Sequence, residues 1–176
     1  MIDTSDTFIR KVLSRDEREF VALMRASRHL HEPWITPPTN PTYFRHYLQR
    51  INREDHEGFA ICRKSDEAIT GVININNIVR SSFLSASLGY YVGAPFQGHG
   101  YMSKGLSLLL RYATNTLGLH RIEANIQPGN ARSIALVKRC GFVKEGYSKN
   151  FLYLDGAWRD HERWCYIDPR TTLRVQ

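Results

Sequence analysis

The sequence predicts an α+β domain: a mixed, mostly antiparallel central sheet of about seven strands with about four helices on its faces. Three observations lead there. Residues 58–92 hold three β-rich runs, "GFAICR", "AITGVININNIV" and "LSASLGYYV", the first two joined by the polar turn "KSDE", which reads as an antiparallel meander. Helix-spaced apolar residues frame that block, at Phe44, Tyr47, Leu48 and Ile51 before it and at Leu106, Leu109, Leu110 and Ala113 after it. The chain closes on "GYSKNFLYLDGAWRDHERWCYID", a hairpin turning at Asp155-Gly156.

Taken in order, "TFIRKVL" reads as a short strand, and "SRDE" offers a capping box, Ser14 with Glu17, ahead of a helix carrying Phe20, Leu23 and Met24. "HEPWITPPTNP" ends that helix with four prolines in eleven residues. A second helix follows, capped by Asn40 with Pro41 in its first turn. After the meander a third helix is expected over residues ~102–117. "HRIEANI" then alternates Ile122, Ala124 and Ile126 against Glu123 and Asn125 as a half-buried strand. A last helix, "ARSIALVKRC", stops at Gly141, a residue suited to a left-handed turn. The order is β-α-α-β-β-β-α-β-α-β-β.

A length of 176 residues with 42% apolar content suits one domain spanning 1–176. No run of ~18 apolar residues occurs, and "MIDTSDTFIRKVLSRDER" has no apolar signal core, so a soluble, cytoplasmic protein is expected. Cys62, Cys140 and Cys165 form no C-x-x-C pair, which argues against a disulfide framework or a structural zinc site. The formal charge of +7 predicts attraction to polyanions. The basic residues are dispersed, which fits a solvated surface, an RNA partner or a phosphorylated cofactor equally.

The stretch "VGAPFQGHGYMSKGLSLLLRYA" places Gly98 and Gly100 at the mouth of the third helix. Unpaired first-turn N–H groups and the helix dipole make such a place an anion site. Two phosphate loops fail on the letters. A dinucleotide fingerprint needs glycine where Ser103 stands, and a P-loop needs lysine where Leu106 follows Gly105. A third pattern, Q/R-x-x-G-x-G/A, is met by Gln97, Gly98, His99, Gly100, Tyr101 and Met102, with methionine at the place of the small residue. "NARSIALVKRCGF" follows as an N-x-x-S…GF segment through Asn130, Ser133, Gly141 and Phe142.

Through these motifs the sequence resembles the GNAT superfamily of acetyl-coenzyme A dependent N-acyltransferases. "HEPW", "GVININNIVRSSF", "LGYYVG", "FQGHGYM", "HRIEANIQPGN" and "GFVKEGYSKNFLYLDGAWRDH" narrow the likeness to ribosomal-protein N-terminal acetyltransferases of the RimJ/RimL type, the RimJ branch above all. The resemblance implies a GNAT-like fold and acetyl-CoA as co-substrate. It implies that the amides of Gln97, Gly98, His99, Gly100, Tyr101 and Met102 hold the diphosphate, with Asn130 and Ser133 contributing to the site. Tyr90, Tyr91 and Val92 would pair with pantetheine as an added strand. That strand would splay from "RIEANI", with Gly93 and Ala94 able to host a bulge. Lys104, Arg132 or Arg139 would meet the outer phosphate or serve as surface charges.

For the chemistry, the resemblance points to Ser133 as the acid for the departing thiolate, unless its hydroxyl only satisfies the first turn of its helix. Glu123 is the candidate base, through a water that Asn125 could orient, against the alternative of a surface salt bridge. A backbone N–H near Val92 would meet the oxyanion. RimL-type enzymes carry a glutamate where this chain has Leu152, so a base must come from elsewhere. His29, His31 and Glu32 lack the spacing of a catalytic metal site, and none is expected. Asp160, His161 and Glu162 on one strand are split between its faces, a poor triad. Trp34 is expected to anchor the proline-rich loop beside the acceptor cleft.

The acceptor this implies is the N-terminal α-amine of a protein, a ribosomal one by resemblance, met by a monomer or homodimer without a membrane partner. A small amine such as a polyamine, an amino acid or an antibiotic is the enzymatic alternative, and an acidic acceptor pocket would favour a polyamine. A non-catalytic module binding CoA or RNA is the other.

Overall fold

The computed structural model describes residues 2–170. Its elements are β1 (Ile2–Asp3), β2 (Thr7–Lys11), α1 (Glu17–Ala26), α2 (Arg28–His31), α3 (Pro41–Ile51), β3 (Glu57–Arg63), β4 (Ile69–Val79), β5 (Ser85–Val92), α4 (Tyr101–Asn115), β6 (Arg121–Ile126), α5 (Ala131–Arg139), β7 (Val143–Leu154) and β8 (Ala157–Ile167). The strands form one sheet in the order β1-β2-β3-β4-β5-β6-β8-β7. Only β5 and β6 run parallel, as strands joined through the crossover helix α4 must when they lie side by side.

The seven expected strands and four expected helices are all present. The additions are the two-residue β1 and the four-residue α2, both too short to leave a periodic trace in the sequence. One local expectation is corrected. Ser14 and Glu17 form no capping box; Asp16 instead accepts from the Leu13 N–H at 2.8 Å and takes a two-pronged bond from Arg10 at 2.7 and 2.9 Å. A carboxylate one residue earlier than expected is the better acceptor because the guanidinium fixes its plane. At α3 the expected cap is made, Asn40 Oδ1 accepting from the Tyr43 N–H at 2.9 Å.

Two cores flank the sheet. On one side α4 and α5 press Leu106, Leu109, Leu136 and Val137 against Ile61, Ile73, Ile122 and Ala124. Gly105 permits this approach, since a Cβ there would lie 2.5 Å from Ile61 Cδ1. On the other side α1 and α3 bury Phe20, Met24, Phe44 and Tyr47 over Val72 and Tyr91.

The sheet is incomplete at its centre. β5 pairs with β4 as far as Val92 opposite Gly71, yet it pairs with β6 only over Ser85–Arg121, Ala86–Ile122 and Ser87–Glu123. Beyond those three pairs the strands part. No bulge forms at Gly93 and Ala94; the chain turns into a single 3₁₀ turn, Ala94–Phe96. The Gly93 N–H bonds Thr70 O at 2.9 Å, on the β4 side. Strand alternation therefore turns the N–H and C=O of Val92, Tyr90 and Leu88 into the gap.

Candidate active site

The gap opens into a cleft of about 1230 Å³ bordered by the end of β5, the 97–100 loop, β6 and the start of α5. Gly100 caps α4 with φ 80° and ψ −4°, the left-handed region that glycine enters without strain. Nothing lies within 4 Å of where a Cβ would stand on Gly98 or Gly100. The N–H groups of Gly98, Gly100, Tyr101, Met102 and Ser103 have no acceptor among the described residues. A cradle of unpaired amides, open where side chains would otherwise fill it, fits a phosphate chain.

Of the residues singled out from the sequence, Tyr90, Tyr91, Val92, Gln97, Gly98, Gly100, Met102, Asn130 and Ser133 line the cleft together. His99 and Tyr101 do not; their rings stack on each other at 6.4 Å, and His99 Nδ1 donates to Gln97 O at 3.0 Å. Arg132 and Arg139 reach the cleft and have no ion-pair partner among the described residues. Lys104 is committed to Asp6 at 2.5 Å.

Asn130 Oδ1 caps α5 by accepting from the Ser133 N–H at 3.1 Å. That bond satisfies the first turn, so the Ser133 hydroxyl is left for another partner. It meets the Tyr90 hydroxyl at 2.5 Å. Burial pushes Tyr90 up to about 12 although the Ser133 bond pulls the other way, so the phenol stays protonated near neutrality. The pairing spans 43 positions and joins a strand to a helix, and nothing in the sequence announces it.

Glu123 stands elsewhere. It does not line the cleft; its Oε1 lies 2.6 Å from Arg121 Nε and 3.9 Å from Arg163 Nη2. It borders a second depression of about 700 Å³ on the other side of the strand gap, where Asn125 is shared between the two openings. Asn125 Oδ1 is buried without a hydrogen-bond partner.

The proline-rich loop seals the near wall. His31 Nε2 donates to Val92 O at 2.9 Å, and burial lowers its pKa, so the ring is neutral. Glu32 pairs with Arg28, while His31 is turned to Val92 O. Trp34 packs edge-on to Gly129, whose Cβ would sit 3.0 Å from the indole, and Trp34 O accepts from Gln127 Nε2 at 3.4 Å. Among the described residues no helix is long and apolar enough to cross a membrane.

An acyl-carrier cleft of this kind, a phosphate cradle at a helix mouth beside two parted strands, defines a class. The chain belongs to the GNAT acetyltransferase family, whose domain model matches residues 7–143, and it is an acetyl-CoA dependent N-acetyltransferase. Among its relatives is the [ribosomal protein uS5]-alanine N-acetyltransferase of Escherichia coli K12, 36% identical, with 97% of this chain and 92% of that protein covered. The structure of Mycobacterium smegmatis RimJ in complex with CoA-disulfide superposes with a TM-score of 0.85 at 28% identity, covering 94% of this chain and 85% of that one. The spermidine N(1)-acetyltransferase of Vibrio cholerae is 21% identical, with 94% of this chain and 96% of that protein covered.

Proposed function

We propose that the protein transfers acetyl from acetyl-CoA to the N-terminal α-amine of a ribosomal protein, an alanine terminus being the first candidate. The observation that carries this reading is the 36% identity to a uS5-alanine acetyltransferase across 97% of the chain. Such an acceptor would place the reaction in the cytoplasm.

The amides of Gly98 and of Gly100 through Ser103, with the side chains of Arg132 and Arg139, would neutralise the coenzyme phosphates. The gap-facing main chain of Tyr90 and Val92 would hold the pantetheine arm as a strand holds its neighbour. His31 fixes the Val92 carbonyl and so the end of β5, where the Val92 N–H would face the gap as an oxyanion donor. In the same reading Tyr90 donates to Ser133 Oγ, and the Ser133 hydroxyl hydrogen goes to the departing sulfur.

A polyamine acceptor fits less well. No aspartate or glutamate lines the cleft among the described residues, and Glu123 at the second depression is already paired with Arg121, with Arg50 across from it. A tri- or tetracation would find no free carboxylate there.

The test is mass spectrometry and thiol release with an alanine-starting peptide, a peptide blocked at its N-terminus, and spermidine. Acetylation of the free peptide alone is the expected result; acetylation of spermidine alone would overturn the reading. Ser133→Ala is expected to lower kcat about 10²-fold or more, the scale of one positioned acid, with coenzyme A affinity nearly unchanged. Steady-state kinetics and calorimetry check it, and an unaltered kcat would remove the serine from the chemistry.

A further inference from the structure

Acyl transfer to an amine needs a group that takes the amine's proton, and the site as described so far names none. The cleft lining itself narrows the choice. Among its described residues there is no aspartate, glutamate or lysine, and only His31 and His161 carry an imidazole. His31 is already used: Nε2 donates to Val92 O, and Nδ1 is sealed away from solvent without a partner.

His161 is differently placed. It is 2% exposed, and its Nδ1 lies 3.0 Å from the carbonyl of Arg159, which can only accept. The proton therefore sits on Nδ1, and Nε2 keeps its lone pair. No described residue bonds Nε2. The strand register fixes where the ring stands. Asn125 lies opposite Arg163 and Ile126 opposite Glu162, so His161 is one step past the end of β6. It shares the face of Arg163, which approaches Glu123, while Trp164 on the opposite face packs into the α4 and α5 core. That common face carries Asn125, which lines both openings. On the other side β7 presents Ser148 opposite His161 and the Phe151 ring at 5.9 Å. Leu152 lines the same cleft.

We propose that His161 is the general base of the reaction, its Nε2 taking the proton of the α-amine as the nitrogen attacks the acetyl carbonyl. This rests on the N-terminal acetyltransferase reading above. The N–C bond forms and the C–S bond breaks. The amine proton passes to His161 and on to solvent, and the sulfur receives the Ser133 hydroxyl proton, which solvent replaces.

The surroundings keep the base neutral. Burial lowers the His161 pKa below 6.5, while the Arg159 carbonyl and Asp160 pull it back only in part. The charged or ionisable groups on the strands beside it are Arg159, Asp160, Glu162, Arg163, Cys165 and Tyr166 on β8, Lys144, Glu145, Tyr147, Lys149 and Tyr153 on β7, and Arg121 and Glu123 on β6, with His31 from α2 lining the same cleft. Every carboxylate in that set has a partner. Asp160 accepts from the Tyr147 hydroxyl at 2.6 Å and the Asn150 N–H at 2.8 Å, Glu162 is held by Lys144 and Trp164, and Glu123 and Glu145 by Arg121. Activity should therefore fall as pH drops through a value under 6.5 and protonates Nε2.

His161→Asn keeps a donor for the Arg159 carbonyl but removes the base. Thiol release with an alanine-starting peptide is measured against pH, alongside calorimetric titration with coenzyme A. The expected result is a fall in kcat/KM of about 10²- to 10³-fold, unchanged coenzyme affinity and loss of the acidic limb of the wild-type profile. Free imidazole should restore part of the rate in His161→Gly. Turnover within about threefold of wild type with the acidic limb intact overturns the proposal. So does the absence of imidazole rescue in a His161→Gly protein that binds coenzyme A normally. If His161→Asn does not fold, His161→Gln is read by the same criteria. A wild type that binds coenzyme A but acetylates no amine refutes the functional reading and this one with it; an active wild type with an unaffected His161→Asn refutes the base alone.

Discussion

Gly100→Val is expected to weaken coenzyme A binding by about 100-fold, or ~2.7 kcal/mol, while the rest of the fold stays intact. Two effects converge. A β-branched residue at φ 80° sits in a region costing roughly 1–2 kcal/mol even for an unbranched side chain, so the loop would move to relieve it. If the loop does not move, the new methyl groups occupy the open space over the amides, where nothing now lies within 4 Å. Either way the N–H groups ahead of α4 lose their close approach to phosphate. Calorimetric titration with coenzyme A checks this, with circular dichroism as the control for folding. Wild-type affinity in the variant would show that the diphosphate does not rest on this loop.

Phe20→Ala carries the largest expected loss of stability, about 3–5 kcal/mol. Phe20 is fully buried, and its ring meets Phe44 at 4.9 Å, Tyr47 at 5.3 Å and Tyr91 at 6.1 Å. Three aromatic residues from α3 and β5 thus border one void when the ring is removed, and stiff neighbours collapse poorly into it. At roughly 2–4 °C per kcal/mol for a chain of this size, the melting temperature should drop by roughly 6–20 °C. Scanning calorimetry decides it; a drop under about 2 °C would mean that the layer repacks freely. The same cluster positions the site. Tyr91 shares a polar tie behind the strand, where Tyr47 donates to Asn74 Oδ1 at 2.7 Å.

Much of this was legible in the letters because it is local. Asp155 and Gly156 adopt φ of 49° and 76°, the paired left-handed turn that an Asp-Gly hairpin signals. Asn40 and Asn130 both cap helices through their side chains, and the alternation in β6 matches its buried and half-buried residues one by one. The glycine loop was readable because φ of 81° and 80° at Gly98 and Gly100 demands that residue type. What stayed hidden is long-range. The parting of β5 from β6 was expected from the family resemblance alone, because the residues themselves do not show which strand edges meet after a crossover. The Ser133–Tyr90 pair, the engagement of Glu123 by Arg121 and the placement of His161 all depend on register between distant strands. Alternation splits Asp160, His161 and Glu162 between the faces of one strand, and the pairing that places His161 runs across strands.

The three-pair seam between β5 and β6 makes the coenzyme a keystone as well as a reactant. A ligand that fills the missing course of a wall binds the folded chain and not the unfolded one, so its cellular supply adds to the protein's durability in proportion to RT ln(1 + [L]/Kd). Starved of acetyl donor, this catalyst would be idle and more easily cleared; well supplied, it would be both busy and long-lived.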